Sequence, residues 1–261
     1  MSFALNRYTA IGAVAVGGII AVIVIALFFR GDNAISFDEI IADIDAGNYE
    51  DALSELDRAE ETFEVAGLTP NVAWTYGERG YIYLQQGFYA EGIDALDRAI
   101  EIDPNQPSFY NNRALNFQRA GRLDDAESDF SMALQLDPGN FNRYVERGFF
   151  YLNVGNAELA LIDGHTAVNL APDEPIGYTL RSDANIALGK FDQALFDVDK
   201  VVELTPGQWA PLITRAITRN SAGDVPGALA DLDAALALGP PLEGKRLIEG
   251  TREVISQGTG G

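Results

Sequence analysis

Few residues of this chain have the types and spacing that catalysis or metal binding requires. The chain has no cysteine, which excludes disulfides, thiolate zinc sites and cysteine nucleophiles. Its single histidine, His165, has no cysteine or second histidine with which to form a metal site, and no specific Ser-His-Asp set can be completed around it. We interpret His165 as a surface residue and predict no metal site, no cofactor and no enzymatic activity.

The segment from Gly239 to Arg246 partly matches a phosphate-binding loop. Its eighth position, which must offer a hydroxyl group to magnesium, holds Arg246. Pro240 and Pro241 also remove backbone N–H donors that would cradle a phosphate. The sequence therefore predicts no nucleotide site here.

The chain is strongly acidic, with 18 basic and 39 acidic residues among 261 and a net charge of -21. Nucleic-acid binding depends on neutralising phosphates with lysine and arginine, so this charge argues against it. Carboxylates such as Glu91, Asp94 and Asp97 recur along one face of a predicted helix. We interpret that face as solvated surface rather than paired catalytic acids, and its field attracts basic partners.

The helices that would position any site follow from a repeat of 34 residues. Prolines recur at this spacing, at Pro104, Pro138, Pro172, Pro206 and Pro240. Glycines recur likewise, at Gly87, Gly121, Gly155, Gly189 and Gly223. Each glycine divides its interval into two helix-length segments. The pattern predicts a repeated helix, short turn and helix.

These repeats resemble the tetratricopeptide repeat family, whose period is 34 residues. Position 1 of the five repeats falls at Ala73, Pro107, Phe141, Pro175 and Trp209. Position 4 is tyrosine in the first four repeats, and positions 8 and 20 hold only small residues. The resemblance implies an all-α protein, a right-handed α-solenoid with five regular repeats over residues 73–240. It also implies protein binding.

Shorter elements are predicted on both sides of the regular repeats. The segment from Ala46 to Leu53 copies the turn and second helix of the pattern, so a divergent repeat is predicted over residues 33–63. A connection containing Pro70 follows, over residues 64–72. Residues 241–257 are predicted to form a capping helix, and residues 258–261 a flexible tail. The apolar face of that cap is assigned to Leu247, Thr251, Val254 and Ile255.

In the tetratricopeptide family, partners bind in a concave groove lined by positions 2, 5, 9 and 12 of each first helix. The residues mapped to this groove are Trp74, Tyr81, Leu84, Asn111, Leu115, Gln118, Asn142, Val145, Phe149, Leu152, Ile176, Thr179 and Asp183. This apolar and amide lining suits an extended segment or an amphipathic helix of a protein partner. Alternatively, Trp74, Tyr81 and Phe149 pack between neighbouring first helices. No lysine occurs before Lys190, which argues against a clamp for chaperone C-termini.

Position 7, usually leucine in this family, is arginine in all five repeats, and position 23 is aspartate in the last four. We predict an ion pair inside each of those four helix pairs, since the guanidinium fork matches a carboxylate. The pairs are Arg113–Asp129, Arg147–Asp163, Arg181–Asp197 and Arg215–Asp231. Such pairs fix register more than stability, because desolvation offsets much of the attraction.

Residues 8–29, after a short tail at 1–7, carry no charge and are predicted to form one transmembrane helix. Twenty-two helical residues extend about 33 Å, against a hydrocarbon core of about 30 Å. A cleaved signal peptide has a shorter apolar region and a small-residue cleavage site, and Asp32 occupies a position where a small residue is needed. Small residues along the span would let another membrane helix pack closely, at Ala13, Gly17, Gly18 and Ala21.

The orientation and function of the chain are predicted from this layout. Arg7 and the amino terminus favour a cytoplasmic N-terminus, with the acidic repeats outside the cytoplasm, in the periplasm if the source is a bacterium. The first functional hypothesis is a membrane-anchored scaffold or assembly factor that recruits a protein through the groove. The alternative is a permanent accessory subunit that bridges or stabilises larger membrane complexes, for example respiratory complexes.

Overall fold

The structure is a computed structural model that describes residues 36–257. This part of the chain forms thirteen α-helices and contains no β-strand. The helices are α1 (Phe37–Ala46), α2 (Tyr49–Val65), α3 (Thr69–Gln86), α4 (Tyr89–Ile102), α5 (Pro107–Arg119), α6 (Leu123–Leu136), α7 (Phe141–Asn153), α8 (Ala157–Leu170), α9 (Pro175–Ala187), α10 (Phe191–Leu204), α11 (Ala210–Ser221), α12 (Val225–Ala237) and α13 (Leu242–Gln257). The all-α prediction is therefore confirmed for the described residues.

Each regular repeat is a helix pair joined by a turn with a glycine. After α5, Gly121 has a φ of 78°, a left-handed conformation that ends the helix and that other residues rarely adopt. Pro107 and Pro175 open α5 and α9 in their first turns, where a missing N–H breaks no helical hydrogen bond. The sequence period is thus the helix–turn–helix period, and the five predicted helix pairs are confirmed.

Small residues allow the helices to approach closely. A Cβ atom added to Gly80 of α3 would overlap Leu96 of α4, within one helix pair. Position 20 of the second helices is equally close-packed, and Ala126 is fully buried there. Gly148 of α7 lies against Leu180 of α9 in the same way, so these two first helices pack directly on each other.

The chain divides between Pro104 and Asn105 into two compact units, and the N-terminal unit contains α1 to α4. Its core includes Ile40 and Phe63, which are fully buried. The ring of Phe37 stacks on Phe63 with the ring centroids 5.6 Å apart. Helices α1 and α2 form the divergent repeat, whose core is continuous with α3.

The connection predicted over residues 64–72 is wrong in its extent. Helix α2 continues to Val65 and α3 begins at Thr69, which leaves only residues 66–68 between them. Pro70 lies in the first turn of α3, where proline is compatible with a helix. Of the residues assigned to a loop, 64–65 therefore lengthen α2 and 69–72 lengthen α3.

The C-terminal unit contains α5 to α12, four regular helix pairs, followed by α13. Helix α13 packs on the last pair through Gly244, Ile248 and Ile255, whereas Leu247 and Val254 are exposed. The predicted apolar face is therefore wrong by part of a turn. The reason is Gly244, because a Cβ atom there would lie only 3.0 Å from the Trp209 ring.

Several predicted segments lie outside the described residues. These are the tail at 1–7, the transmembrane helix at 8–29 with its small residues Ala13, Gly17, Gly18 and Ala21, and the tail at 258–261. From residue 36 to residue 257, none of the helices combines the length and the apolar character needed to cross a membrane.

Candidate binding face and its ion-pair frame

The two helices of each repeat in the C-terminal unit are joined by an arginine–aspartate pair. Arg147 donates from Nε and Nη2 to the two carboxylate oxygens of Asp163, over 2.9 and 2.7 Å. Asp163 is only 1% exposed, and its hydrogen bonds raise the pKa of Arg147. The same pairing occurs at Arg113–Asp129, Arg181–Asp197 and Arg215–Asp231. The structure thus contains all four pairs predicted from positions 7 and 23.

A second contact, which the sequence analysis missed, links three of these arginines to the preceding repeat. In each case the Nη1 atom approaches the side chain at position 25 of that repeat, to within 2.8–3.3 Å. The contacts are Arg147–Ser131, Arg181–His165 and Arg215–Asp199. The capping helix continues the series, since Arg252 binds Asp233 at position 25 of the last repeat. Because positions 7 and 25 each recur every 34 residues, the alignment of the repeats could have predicted this link.

His165 lies at one of these links between repeats. A guanidinium group can only donate hydrogen bonds, so Nδ1 of His165, 3.3 Å from Arg181 Nη1, acts as the acceptor. Partial burial lowers the pKa of His165, and the charge of Arg181 lowers it further. The neutral imidazole is therefore the form that makes this contact.

Arg79 of the N-terminal unit finds its carboxylates elsewhere, because position 23 of its own repeat is Ala95. It binds Asp57 at 2.7 Å and also pairs with Glu60, and both acids belong to α2. Tyr76 donates a hydrogen bond to Glu60 as well. The divergent repeat thus supplies the acids that hold α3.

We call the arginine–aspartate pairs and the contacts at position 25 the ion-pair frame. Helix α9 shows which face of the first helices the ion-pair frame leaves free. Arg181 binds Asp197 and Ser182 donates to the carbonyl of Ala194, so both face the second helix, α10. Positions 2, 5, 9 and 12 lie about 140–160° around the helix from the arginine at position 7, at 3.6 residues per turn. We call these positions of α5, α7, α9 and α11 the inner face of the C-terminal unit.

Ten residues of the predicted groove lie on this inner face. Leu115, Gln118, Phe149, Leu152, Ile176, Thr179 and Asp183 are half-buried, and Asn142 is exposed. Asn111 and Val145 are 2% and 6% exposed, so the expectation that they line the groove is not met. Their equivalent in α11, Ile213, packs in one core cluster with Ile248 of α13. Position 5 is therefore buried in three of these four helices.

Extending the same register to α11 adds a residue that the sequence analysis omitted. Ile217, at position 9, is 47% exposed. With Leu115 and Phe149, it gives an aliphatic or aromatic side chain at position 9 of three of the four helices. The inner face therefore offers separate apolar anchor points, one on each of these helices.

Trp74, Tyr81 and Leu84 belong to α3 in the N-terminal unit and are half-buried. Trp74 meets the ring of Phe37 edge-on, with centroids 4.9 Å apart, and Tyr81 packs against the same core. These contacts favour the alternative in which Trp74 and Tyr81 pack between neighbouring helices.

Asp183 interrupts the apolar row at position 9. Burial raises the pKa of its carboxyl group from 3.8 to about 6. Among residues 36–257 it takes part in no hydrogen bond or ion pair, and no neighbouring charge shifts its pKa. The inner face therefore holds an uncompensated carboxylate between apolar positions.

Comparison with known proteins identifies the class of repeat. A protein-family model described as TPR repeat matches residues 80–121. A stretch of 47 residues is 38% identical to the TPR repeat-containing thioredoxin TTL4 of Arabidopsis thaliana. That stretch covers 18% of this chain and 7% of the plant protein. The family-model match supports a tetratricopeptide repeat at residues 80–121.

Solved structures share the fold at low sequence identity. A tetratricopeptide repeat protein from Parabacteroides merdae superposes with a TM-score of 0.67 at 16% identity, over 90% of this chain and 87% of the other. YrrB, described as a TPR protein with an unusual peptide-binding site, gives 0.54 at 19% identity, over 68% of this chain and 92% of YrrB. The fold is therefore that of tetratricopeptide repeat proteins.

Proposed function

We propose that this protein is a membrane-anchored, non-enzymatic interaction scaffold that recruits a protein partner through the inner face. The observation that carries the proposal is the row of Leu115, Phe149 and Ile217, which stands opposite the ion-paired side of the first helices. Aromatic and aliphatic side chains in such positions anchor peptide segments in grooves. The peptide-binding description of YrrB, a protein of similar fold, supports this use of the fold.

The membrane part of the proposal rests on residues 8–29, with the repeats outside the cytoplasm. The chain has no cysteine, so a single Asp173→Cys variant carries one exposed thiol for labelling. We expect a membrane-impermeant maleimide to label it in intact spheroplasts. Labelling only after permeabilisation contradicts the orientation. Release of the wild-type chain from membranes by carbonate contradicts the anchor.

The alternative, a permanent accessory subunit of a larger membrane complex, is favoured by a different surface. Ile162 of α8 and Phe196 of α10 are 59% and 70% exposed. They occupy position 22 of consecutive repeats, away from the inner face. Exposed apolar residues in equivalent positions of adjacent repeats suit a lateral protein contact.

Extraction in mild detergent, followed by native-gel separation and mass spectrometry, distinguishes the two functions. The scaffold predicts substoichiometric partners that are lost in Phe149→Ser and kept in the matched outer variant Phe196→Ser. The accessory subunit predicts one large band of fixed stoichiometry that Phe196→Ser dissociates. A chain that runs alone in every sample contradicts both.

A further inference from the structure

Among the residues at positions 2, 5, 9 and 12 of α5, α7, α9 and α11, Asp183 is the only charged one. Its counterparts at position 9 are Leu115, Phe149 and Ile217, so the register calls for an apolar side chain. A half-buried carboxylate without a partner is costly, because burial removes hydration that nothing replaces. A carboxylate of this kind, in a register position that is otherwise apolar, is a candidate functional site.

Every arginine of α7, α9 and α11 pairs with an acid other than Asp183. On α7, Arg143 pairs with Glu146 and Arg147 with Asp163. On α9 and α11, the pairs are Arg181–Asp197, Arg215–Asp231 and Arg219–Asp231. The frame that joins the repeats therefore leaves the Asp183 carboxylate for a cation from outside these helices.

We infer that Asp183 binds a lysine or arginine side chain of the recruited protein segment, with apolar side chains of that segment packed on Phe149 and Ile217. This inference rests on the proposed function and names the chemistry of its partner. The close contact of Gly148 with Leu180 brings α7 and α9 side by side. Phe149 and Asp183 therefore occupy position 9 of two helices that pack on each other. The net charge of -21 favours approach of a basic segment over an acidic one.

The occupant is thus a basic and apolar segment, with a cation between two apolar anchors. This specificity is opposite in sign to that of a clamp for a carboxylate. A charge-assisted hydrogen bond contributes about 1.5–3 kcal/mol, so removing the charge weakens binding by about 10-fold to 100-fold.

The test uses the full-length chain in a nonionic detergent and a phage-displayed library of random dodecapeptides. Four forms are compared: wild type, Asp183→Asn, Asp183→Lys and the matched control Asp173→Asn, whose carboxylate is exposed in a turn. We expect wild type and control to enrich peptides with a lysine or arginine flanked by apolar residues. Asp183→Asn should lose the preference for the basic residue, and Asp183→Lys should select an acidic residue.

The strongest peptide is then measured by fluorescence anisotropy, with its basic residue intact or replaced by methionine. The replacement should weaken binding to wild type and have no effect on Asp183→Asn. Equal frequencies of basic residues in all four pools overturn the role of Asp183 and leave peptide binding intact. If no form enriches any peptide, or if Phe149→Ser leaves every selected peptide bound, the proposed function fails and this inference fails with it.

Discussion

Replacing Asp183 by asparagine should stabilise the free protein at neutral pH. Burial places the pKa of Asp183 at about 6 in the folded state, against 3.8 for its ordinary value. Because the folded-state pKa is raised, protonation of Asp183 favours the folded state. This contribution to the free energy of unfolding is complete below pH 3.8 and is lost as the pH rises through 6. The ionised carboxylate is therefore a cost at neutral pH that asparagine removes.

The size of this cost follows from the shift. Two pKa units correspond to about 3 kcal/mol, and partial exposure to water reduces this, so we expect a gain of about 2 kcal/mol at pH 7.5. At pH 5 the carboxyl group is largely protonated in the folded state, and the gain should fall to about half. Both conditions stay above the isoelectric point near 4.2.

The assay is urea unfolding of the full-length chain in nonionic detergent. The chain has two tryptophans, and a Trp74→Phe background leaves Trp209, which packs against α13, as the reporter of the C-terminal unit. Asp173→Asn, the exposed control, should show no gain at either pH. No gain for Asp183→Asn, or an equal gain at both pH values, would refute the reasoning that burial penalises this charge.

Three further predictions use the same unfolding assay. Arg147→Ala leaves Asp163 buried without its cation and should lower the free energy of unfolding by about 3–5 kcal/mol. Combining Arg147→Met with Asp163→Leu should recover most of this loss. Additive losses from the two substitutions would contradict the pairing. Gly148→Ala drives a Cβ atom into Leu180 and should lower the free energy of unfolding by about 1–3 kcal/mol. Leu180→Ala in the same chain should partly relieve this overlap. An unchanged stability of Gly148→Ala would contradict the close approach of the two helices. The folded-state pKa of His165 is lowered, so its contribution is complete above pH 6.5 and lost as the pH falls through the folded value. His165→Asn should therefore lose less stability than wild type between about pH 7 and pH 5, and parallel curves would contradict this.

The fold could be predicted because one register repeats without interruption. Prolines and glycines at fixed spacing defined the helix pairs. Position 7 with position 23 defined the ion pairs, since an arginine inside a helix pair needs an acid on the facing helix. The same 34-residue spacing also indicated the contact of Arg215 with Asp199 of the preceding repeat. That link was missed because only residues within one repeat were compared.

The errors arose where the register ends or where burial depends on neighbours. Pro70 indicated a loop, but a proline in a first turn is also compatible with a longer helix. The face of α13 depended on Gly244 and its fit against Trp209, which no periodicity shows. Asn111 is polar and follows the groove pattern, yet it is buried, as are Val145 and Ile213 at the same position. The charge of Asp183 was visible in the sequence, whereas its lack of a partner required the ion pairs that the arginines of α7, α9 and α11 form with other acids.

Site-specific photocrosslinking in cells tests most directly whether the inner face binds the partner. Benzoylphenylalanine is placed at Leu152 on the inner face or at Phe196 on the outer surface, in otherwise wild-type full-length chains. We predict a discrete protein adduct from position 152 that Asp183→Lys diminishes, and none from position 196. Adducts from position 196 alone would contradict the inner face as the binding surface.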